Sequence, residues 1–236
     1  MTLSIVMPAY NKQKVIKEVM LEVKKAGESF NIPYEVIIID DHSTDGTYNE
    51  VKKTINKWKN FKVFEKKENG GKGGALKEGF KKTKGDLIAF IDADLDLPSS
   101  QLKIFLDLMN IYHADAVIGS KRNSLSQVKY SITRNFLSWG YYKIIRGLFK
   151  LNVSDTQVGM KLFKRKALEQ TIGKTRTTGF AFDIELLALM QRKGFKIGEA
   201  PIIMKHSNFG SSVKLITILK MLKDTVEIFY NINFKK

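Results

Sequence analysis

Glu35-Val36-Ile37-Ile38-Ile39-Asp40-Asp41 is the stretch that decides the architecture. Four β-branched residues in a row, with no polar alternation, fit a strand covered on both faces, as in the middle of a parallel sheet. Ending such a strand on two acids puts charge at its carboxyl mouth, where open α/β sheets bind ligands. On the N-terminal side, Leu3 to Met7 reads as a strand, and Lys14 to Ala26 carries Val15, Ile16, Val19, Met20 and Val23 at helical spacing. On the other side, Thr44 or Asp45 can cap a helix running to about Lys57. There follow a strand at Lys62–Glu65, a helix at Gly74–Lys82, a strand at Leu87–Asp92, a helix at Ser99–Tyr112 and a strand at Ala116–Gly119. This alternation predicts an α/β protein with a doubly wound, mainly parallel sheet.

Beyond residue 120 the order changes to a basic, aromatic stretch over Val128–Leu151, a loop, and a short apolar piece at Lys161–Phe163. Helices near Ala167 and at Asp183–Lys193, a strand at Ile197–Met204 and a helical pattern from about Val213 to Phe229 complete the chain. No repeat or low-complexity linker interrupts it. We therefore expect a single domain over 1–236, with a nucleotide half at 1–120 and an elaborated acceptor half at 121–236.

The 236 residues are 43% hydrophobic and 27% charged, which excludes disorder, collagen and coiled coil. The absence of cysteine removes disulfides, thiolate metal sites and a cysteine nucleophile. Apolar runs are far shorter than the roughly 20 residues that span a bilayer, and the N-terminus lacks a basic signal-peptide region, so a cytoplasmic location is expected. Net charge is +16 and very uneven: residues 1–100 hold 17 Lys+Arg against 15 Asp+Glu, and residues 101–236 hold 23 against 9. A basic second half suits nucleic acid, an anionic membrane or a phosphorylated substrate; a lysine-rich solvated surface gives the same sum.

Asp92, Asp94 and Asp96 alternate after a buried strand, so all three could converge on one hard cation such as Mg2+ or Mn2+; acids here also cap helices or meet water. Between the acidic clusters, Asn69-Gly70-Gly71-Lys72-Gly73-Gly74 precedes a helix, where backbone N–H groups can approach a phosphate. It matches neither Walker A nor Gly-x-Gly-x-x-Gly, and a flexible turn is the alternative.

Taken in order, Val6-Met7-Pro8-Ala9-Tyr10-Asn11, the Asp40-Asp41 run with Ser43-Thr44-Asp45-Gly46-Thr47, the Gly-Lys-Gly segment and Asp92-Ala93-Asp94 resemble the signatures of family-2 glycosyltransferases, which have the GT-A fold. Asp155-Thr156-Gln157-Val158-Gly159-Met160-Lys161-Leu162-Phe163, Phe182-Asp183-Ile184-Glu185 and Glu199-Ala200-Pro201-Ile202 resemble their polyprenyl-phosphate branch, the dolichyl-phosphate glucosyl- and mannosyltransferases. The resemblance implies that Pro8, Ala9, Tyr10 and Asp40 hold the nucleoside, with Lys72 nearby. It implies that Asp92 and Asp94 face the diphosphate and that Asp94 with Asp96 binds the metal. Lys121 stands where the family has Arg, and Arg134 matches a second phosphate-binding Arg. Lys12 departs from the family's Glu, and Gly179-Phe180-Ala181-Phe182 lacks an aromatic residue often found ahead of the Phe-Asp pair.

The chemistry can be argued from the residues too. A divalent ion on both phosphates of a nucleotide-sugar stabilises the leaving diphosphate, and a phosphate acceptor, largely dianionic at pH 7, is already a nucleophile. Asp155 and Gln157 are candidates for a place beside sugar or acceptor, although Asp155 also suits a turn. Asp183 and Glu185 could orient sugar hydroxyls; alternatively Asp183 caps the following helix. Lys205 and Lys214 flank a Gly-Ser segment that resembles the family's basic loop near the active site, and the resemblance implies that with Lys121 and Arg134 it meets an acceptor phosphate. Between Val128 and Leu151, Lys129, Arg134, Lys143, Arg146 and Lys150 interleave with Tyr130, Phe136, Trp139, Tyr141, Tyr142 and Phe149 with no acid, as in a helix lying on an anionic bilayer. Core packing or a homo-oligomer contact would use the same stripes.

The expected function is inverting transfer of a hexose from a UDP-sugar to dolichyl or undecaprenyl phosphate, at the cytoplasmic face of a membrane. GDP-mannose as donor, or a polysaccharide as acceptor, are the enzyme alternatives. A basic nucleic-acid module is the other class, but no nucleic-acid motif accompanies it and acids at the strand mouths repel phosphate.

Overall fold

The isoleucine run is a buried central strand: Val36, Ile37, Ile38 and Ile39 are all inaccessible to solvent. The computed structural model describes residues 1–128, 132–179, 181–205 and 215–234, with side chains left out at 132–139 and 215–221. In chain order the elements are β1 (Leu3–Ala9), α1 (Ile16–Ser29), β2 (Tyr34–Asp40), α2 (Thr47–Ile55), β3 (Phe61–Glu65), α3 (Gly71–Lys82), β4 (Leu87–Ile91), α4 (Leu102–Ile111) and β5 (Ala116–Ser120). The second half adds α5 (Ile132–Phe149), β6 (Met160–Lys164), α6 (Arg165–Glu169), α7 (Phe182–Arg192), β7 (Ile197–Pro201) and α8 (Leu215–Phe234).

The seven strands among the described residues form one sheet in the order β3-β2-β1-β4-β6-β5-β7. Every pairing is parallel except those of β6, which runs antiparallel to both β4 and β5. The reversal matters for function. It brings the segment before β6 to the edge at which β1, β2, β4 and β5 end.

Helices cover both faces. Leu3, Ile5, Met7, Val36 and Ile38 pack with Val19 and Met20 of α1 and Phe105 of α4, while Val6, Phe90, Ile118 and Phe163 pack with Leu76 of α3 and Leu187 of α7. Fully burying each such side chain contributes about 1.5–3 kcal/mol, so two dry layers hold the sheet rigid beneath its carboxyl edge.

Several boundaries differ from the sequence reading, each for a local reason. α1 starts at Ile16 because the Lys12 carbonyl takes the N–H groups of both Val15 and Ile16 in a preceding turn. α2 starts after Gly46, and Asp45 braces the Thr47 N–H at 2.9 Å from one position further out. α3 begins at Gly71, three residues earlier than expected. β7 stops at Pro201, and beyond it an isolated Gln127–Ile203 bridge continues the pairing.

α5 and α8 pack on each other through a Tyr141–Thr225 hydroxyl contact at 2.9 Å and a Phe149–Phe229 edge contact at 6.0 Å, with Ile145 and Ile228 buried. Their inner stripes are therefore core. Lys143, Ile144 and Arg146 of α5, and Val226, Tyr230 and Phe234 of α8, face outward. The side chains of Phe136 and Trp139 lie outside the described residues. Among the described residues no helix is long and apolar enough to cross a membrane.

Candidate active site

At the mouth of β1 and β2, Asp41 donates its N–H to the Ala9 carbonyl at 2.8 Å, so the two strand ends are tied. Asp40 is fully buried; it accepts the Ser43 N–H at 3.0 Å and the Ser43 hydroxyl at 2.5 Å. Ser43 Oγ in turn accepts the Asn11 N–H at 3.0 Å, and Asn11 Oδ1 accepts from Thr44. Asn11 and His42 hold left-handed backbone, with φ of 52° and 61°, where Asn and His are better tolerated than most residues. The Asp40–Ser43–Asn11 chain therefore fixes the Tyr10 turn from beneath. Asp40 supports this mouth rather than opening onto it, whereas Tyr10 is 45% exposed and Pro8 half-buried.

The glycine segment does something other than cradle a phosphate. The N–H groups of Gly73 and Gly74 both point at the Thr178 carbonyl, at 2.7 and 3.3 Å. A Cβ on Gly73 would stand 2.6 Å from Phe182, so this glycine lets α7 close on the first turn of α3. Thr178 follows a loop whose N–H groups at Arg176 and Thr177 donate to the buried Glu185 carboxylate at 2.8–2.9 Å. Glu185, 2% exposed, is thus the anchor of this loop. Asp183 does not cap α7 either: Ala181 is the N-cap, and Asp183 sits in the first turn, buried.

With α7 docked there, Lys72 reaches across the sheet edge. Its ammonium is 2.7 and 2.9 Å from the two carboxylate oxygens of Asp92 and 3.6 Å from Asp183 Oδ2. Lys161, on β6 and 1% exposed, lies 2.9 Å from Asp183 Oδ1, an ion pair without hydrogen-bond alignment, and donates to the Val158 carbonyl at 2.6 Å. Burial pulls the Lys72 pKa down, but Asp92 and Asp183 outweigh it and raise it above the usual lysine value. Burial likewise disfavours the Asp183 carboxylate, yet Lys161 and Lys72 hold its pKa below the ordinary range. The pKa of Lys161 is lowered by burial, which Asp183 only partly offsets.

Asp94 is different. Burial first, then the charges of Asp92 and Asp96, push its carboxyl up to about 6, with Lys12 opposing. Asp94 Oδ1 accepts the Asp96 N–H at 3.2 Å. Asp92 is committed to Lys72, and among the described residues no group of three His, Cys, Asp or Glu is placed to hold a metal ion. The three aspartates therefore do not form the single cluster their alternation suggested.

Across from Asp92, the segment before β6 closes the site. Asp92 donates its N–H to the Gly159 carbonyl at 3.2 Å, and Gly159 leaves no room for a side chain against the Asp92 carboxylate. Asp155 accepts the Lys121 N–H at 3.1 Å, pairs with the Lys121 ammonium at 3.1 Å, and accepts the Gln157 N–H at 3.0 Å. Glu199 on β7 fixes this segment by accepting the Ser154 N–H at 2.6 Å and the Asp155 N–H at 3.3 Å. Gln157 Nε2 is buried and, among the described residues, has no hydrogen-bond partner; it stands beside a small pocket lined by Lys121, Tyr142, Asp155 and Gln157. Buried amides are nearly always satisfied, so this donor is open to a ligand oxygen or a water.

Lys205 is placed apart from this pocket: its N–H donates to the Asp96 carbonyl at 3.0 Å, but its ammonium pairs with Glu22 on α1 at 2.9 Å. Lys214 and the side chain of Arg134 lie outside the described residues. Two residues escaped the sequence reading. Glu199 carried no signal beyond its motif, and Lys161 looked like one residue of a short apolar strand.

Residues 4–172 match Glycosyl transferase family 2. A dolichyl-phosphate beta-glucosyltransferase from Saccharomyces cerevisiae is 31% identical over 246 residues, covering 96% of this chain and 73% of that protein. Among solved structures, glucosyl-3-phosphoglycerate synthase from Mycobacterium tuberculosis, in complex with Mn2+, UDP-glucose and phosphoglyceric acid, superposes with a TM-score of 0.69 at 18% identity over 98% of this chain and 79% of that one. A mannosyltransferase from Pyrobaculum calidifontis, in complex with GDP-Man and Mn2+, gives 0.67 at 20% identity over 95% of this chain and 63% of that one. These structures share the GT-A arrangement of the sheet. Together with the acids and Lys72 gathered at its carboxyl edge, the match means that this chain belongs to glycosyl transferase family 2 and is a glycosyltransferase.

Proposed function

We propose that the enzyme transfers a hexose from a UDP-sugar, with inversion, to the phosphate of a polyprenyl phosphate such as dolichyl phosphate. The observation that carries this reading is the junction between β4 and β6. It sets the Lys72–Asp92 pair and the half-buried Asp94 against the Lys121–Asp155–Gln157 segment, one side suited to a diphosphate and the other to an acceptor. Similarity to the yeast dolichyl-phosphate beta-glucosyltransferase over nearly the whole chain supports the lipid acceptor and glucose as the hexose.

In this reading Pro8, Ala9 and Tyr10 receive the nucleoside over the turn that Asp40 braces. Lys72 meets a diphosphate oxygen, while Asp92 keeps its ammonium oriented. The residues present fit a divalent ion: Asp94 is an anion held near like charges, and the donor set is carboxylate oxygen throughout. Asp94 and Asp96 would hold Mg2+ or Mn2+ jointly with the donor, since such ions are commonly bound by one or two carboxylates plus substrate phosphates. When bound, the ion supplies Lewis-acid stabilisation of the leaving diphosphate. Lys121 and Arg134 bring the acceptor phosphate to the sugar, and its dianionic oxygen attacks the anomeric carbon without requiring a general base. Asp155 keeps Lys121 aimed at that oxygen, and Gln157 Nε2 donates to the sugar or the acceptor.

Because a polyprenyl phosphate stays in the bilayer, the enzyme works as a peripheral protein at the cytoplasmic face, with α5 at the headgroup plane. The test is a panel of UDP- and GDP-sugars with Mn2+ or Mg2+ and a short polyprenyl phosphate, scored for lipid-linked product. UDP-glucose is expected to give the most product. Product only from GDP-mannose would replace the donor, and none from any sugar would overturn the acceptor assignment.

A further inference from the structure

We infer that Lys161 and Asp183 are positioning residues for the donor diphosphate, acting through Lys72; the inference rests on the donor reading above and not on the acceptor. A buried ion pair is weak support for a fold, because apolar residues of similar volume often serve as well or better. Lys161 stands on a strand between Met160 and Leu162, both fully buried, where an apolar side chain would fit the pattern. The pair also does not close on itself. Asp183 turns its second oxygen to Lys72, and Lys72 spans both oxygens of Asp92 at the exit of β4.

The four charges alternate in sign, Lys161, Asp183, Lys72, Asp92, and cancel as a set. Lys161 further holds the Val158 carbonyl, next to the Gly159 whose backbone abuts Asp92. One buried ammonium thus reaches the strand mouth by two routes, and both fix the place where Lys72, with 17% of its side chain exposed, meets solvent. A lysine side chain has four rotatable bonds and would otherwise sample many orientations. Holding it from behind prepares its ammonium for a diphosphate oxygen and lowers the ordering cost of binding.

The experiment compares Lys161→Met/Asp183→Asn with wild type, with Lys72→Met, and with the triple variant. Removing both inner charges together avoids stranding one of them; Lys161→Gln/Asp183→Asn is the second version should the first melt early. UDP affinity by calorimetry, donor and acceptor Michaelis constants and thermal melts are read in parallel. The expected result is a folded double variant whose UDP affinity falls and donor Michaelis constant rises about tenfold, with the acceptor constant unchanged. The triple variant should be no worse than Lys72→Met, because interacting residues are non-additive. A folded double variant with wild-type UDP affinity, or losses that simply add to that of Lys72→Met, would overturn the inference. UDP affinity requires no acceptor, so wild type that binds UDP but makes no lipid-linked product would overturn the acceptor reading alone.

Discussion

Asp94 holds its proton more tightly in the folded chain than in the unfolded one, because burial and the neighbouring charges of Asp92 and Asp96 lift its carboxyl to about 6. Between about pH 4 and 6 the native state therefore binds more protons, and stability falls as pH rises through that window and stays lower above it. That rise corresponds to about 3 kcal/mol, which solvent screening at a half-buried site reduces to about 1–2. Asp94→Asn is accordingly expected to melt about 2–8 °C above wild type at pH 7.5 and level with it at pH 4, while transfer drops at least about 100-fold. Mn2+ added with UDP should raise the melting temperature of wild type by more than that of the variant. A variant that melts lower at pH 7.5, or transfers normally in chelator, would refute the assignment. The sequence made Asp92 and Asp94 legible because acids closing an apolar run stand out. Lys161 was illegible because its partner Asp183 and its outlet Lys72 sit on α7 and α3, which no local spacing joins.

At the scale of elements, the glycine-rich start of α3 is a packing notch. A methyl group on Gly73 must displace Phe182, and overpacking of this kind costs about 1–3 kcal/mol. Gly73→Ala should therefore lower the melting temperature by about 2–12 °C and weaken UDP binding, since parting α7 from α3 draws Asp183 off Lys72. Gly147→Ala is the control: among the described residues nothing lies within 4 Å of its added Cβ, α5 is helical there, and the change should stabilise by about 0.5–1 kcal/mol. Equal melting of the two variants would show that the notch is not tight. The strands and helices of the first half were readable because βα alternation is a local signal, apart from a few residues at the boundaries. The glycines misled because a tight turn, a phosphate loop and a helix notch share one composition, and only the position of Phe182 separates them. The direction of β6 was equally hidden, since a five-residue strand looks the same either way and its antiparallel pairing is set by β4 and β5.

For the whole molecule, charge and apolar exposure fall on the same half. Of the net +16, nearly all comes from residues beyond 100, and α8 turns Val226, Tyr230 and Phe234 outward, at 62%, 55% and 67% exposure, on one face at four-residue spacing. Tyr230 and Phe234 stack at 5.5 Å, which makes the end of that face a compact aromatic wedge. α5 packs against α8 and presents Lys143, Ile144 and Arg146 outward, and its Tyr142 lines the pocket shared with Lys121 and Gln157. A bilayer meeting α5 would lie next to the helix whose Tyr142 and Arg146 line that pocket. Each basic residue near an anionic surface contributes about 1 kcal/mol, so several together with an inserted aromatic pair suffice for reversible binding. Co-sedimentation with liposomes should accordingly require anionic lipid, weaken as salt rises, and fall severalfold for Val226→Ser/Tyr230→Ser/Phe234→Ser. Ile111→Ser/Tyr112→Ser, which removes two exposed apolar residues at the end of α4, should leave binding intact. If both sets of substitutions act alike, or wild type stays in the supernatant at low salt, the α8 face is no membrane contact. Sedimentation velocity on the triple variant then asks whether that face joins two copies of the chain.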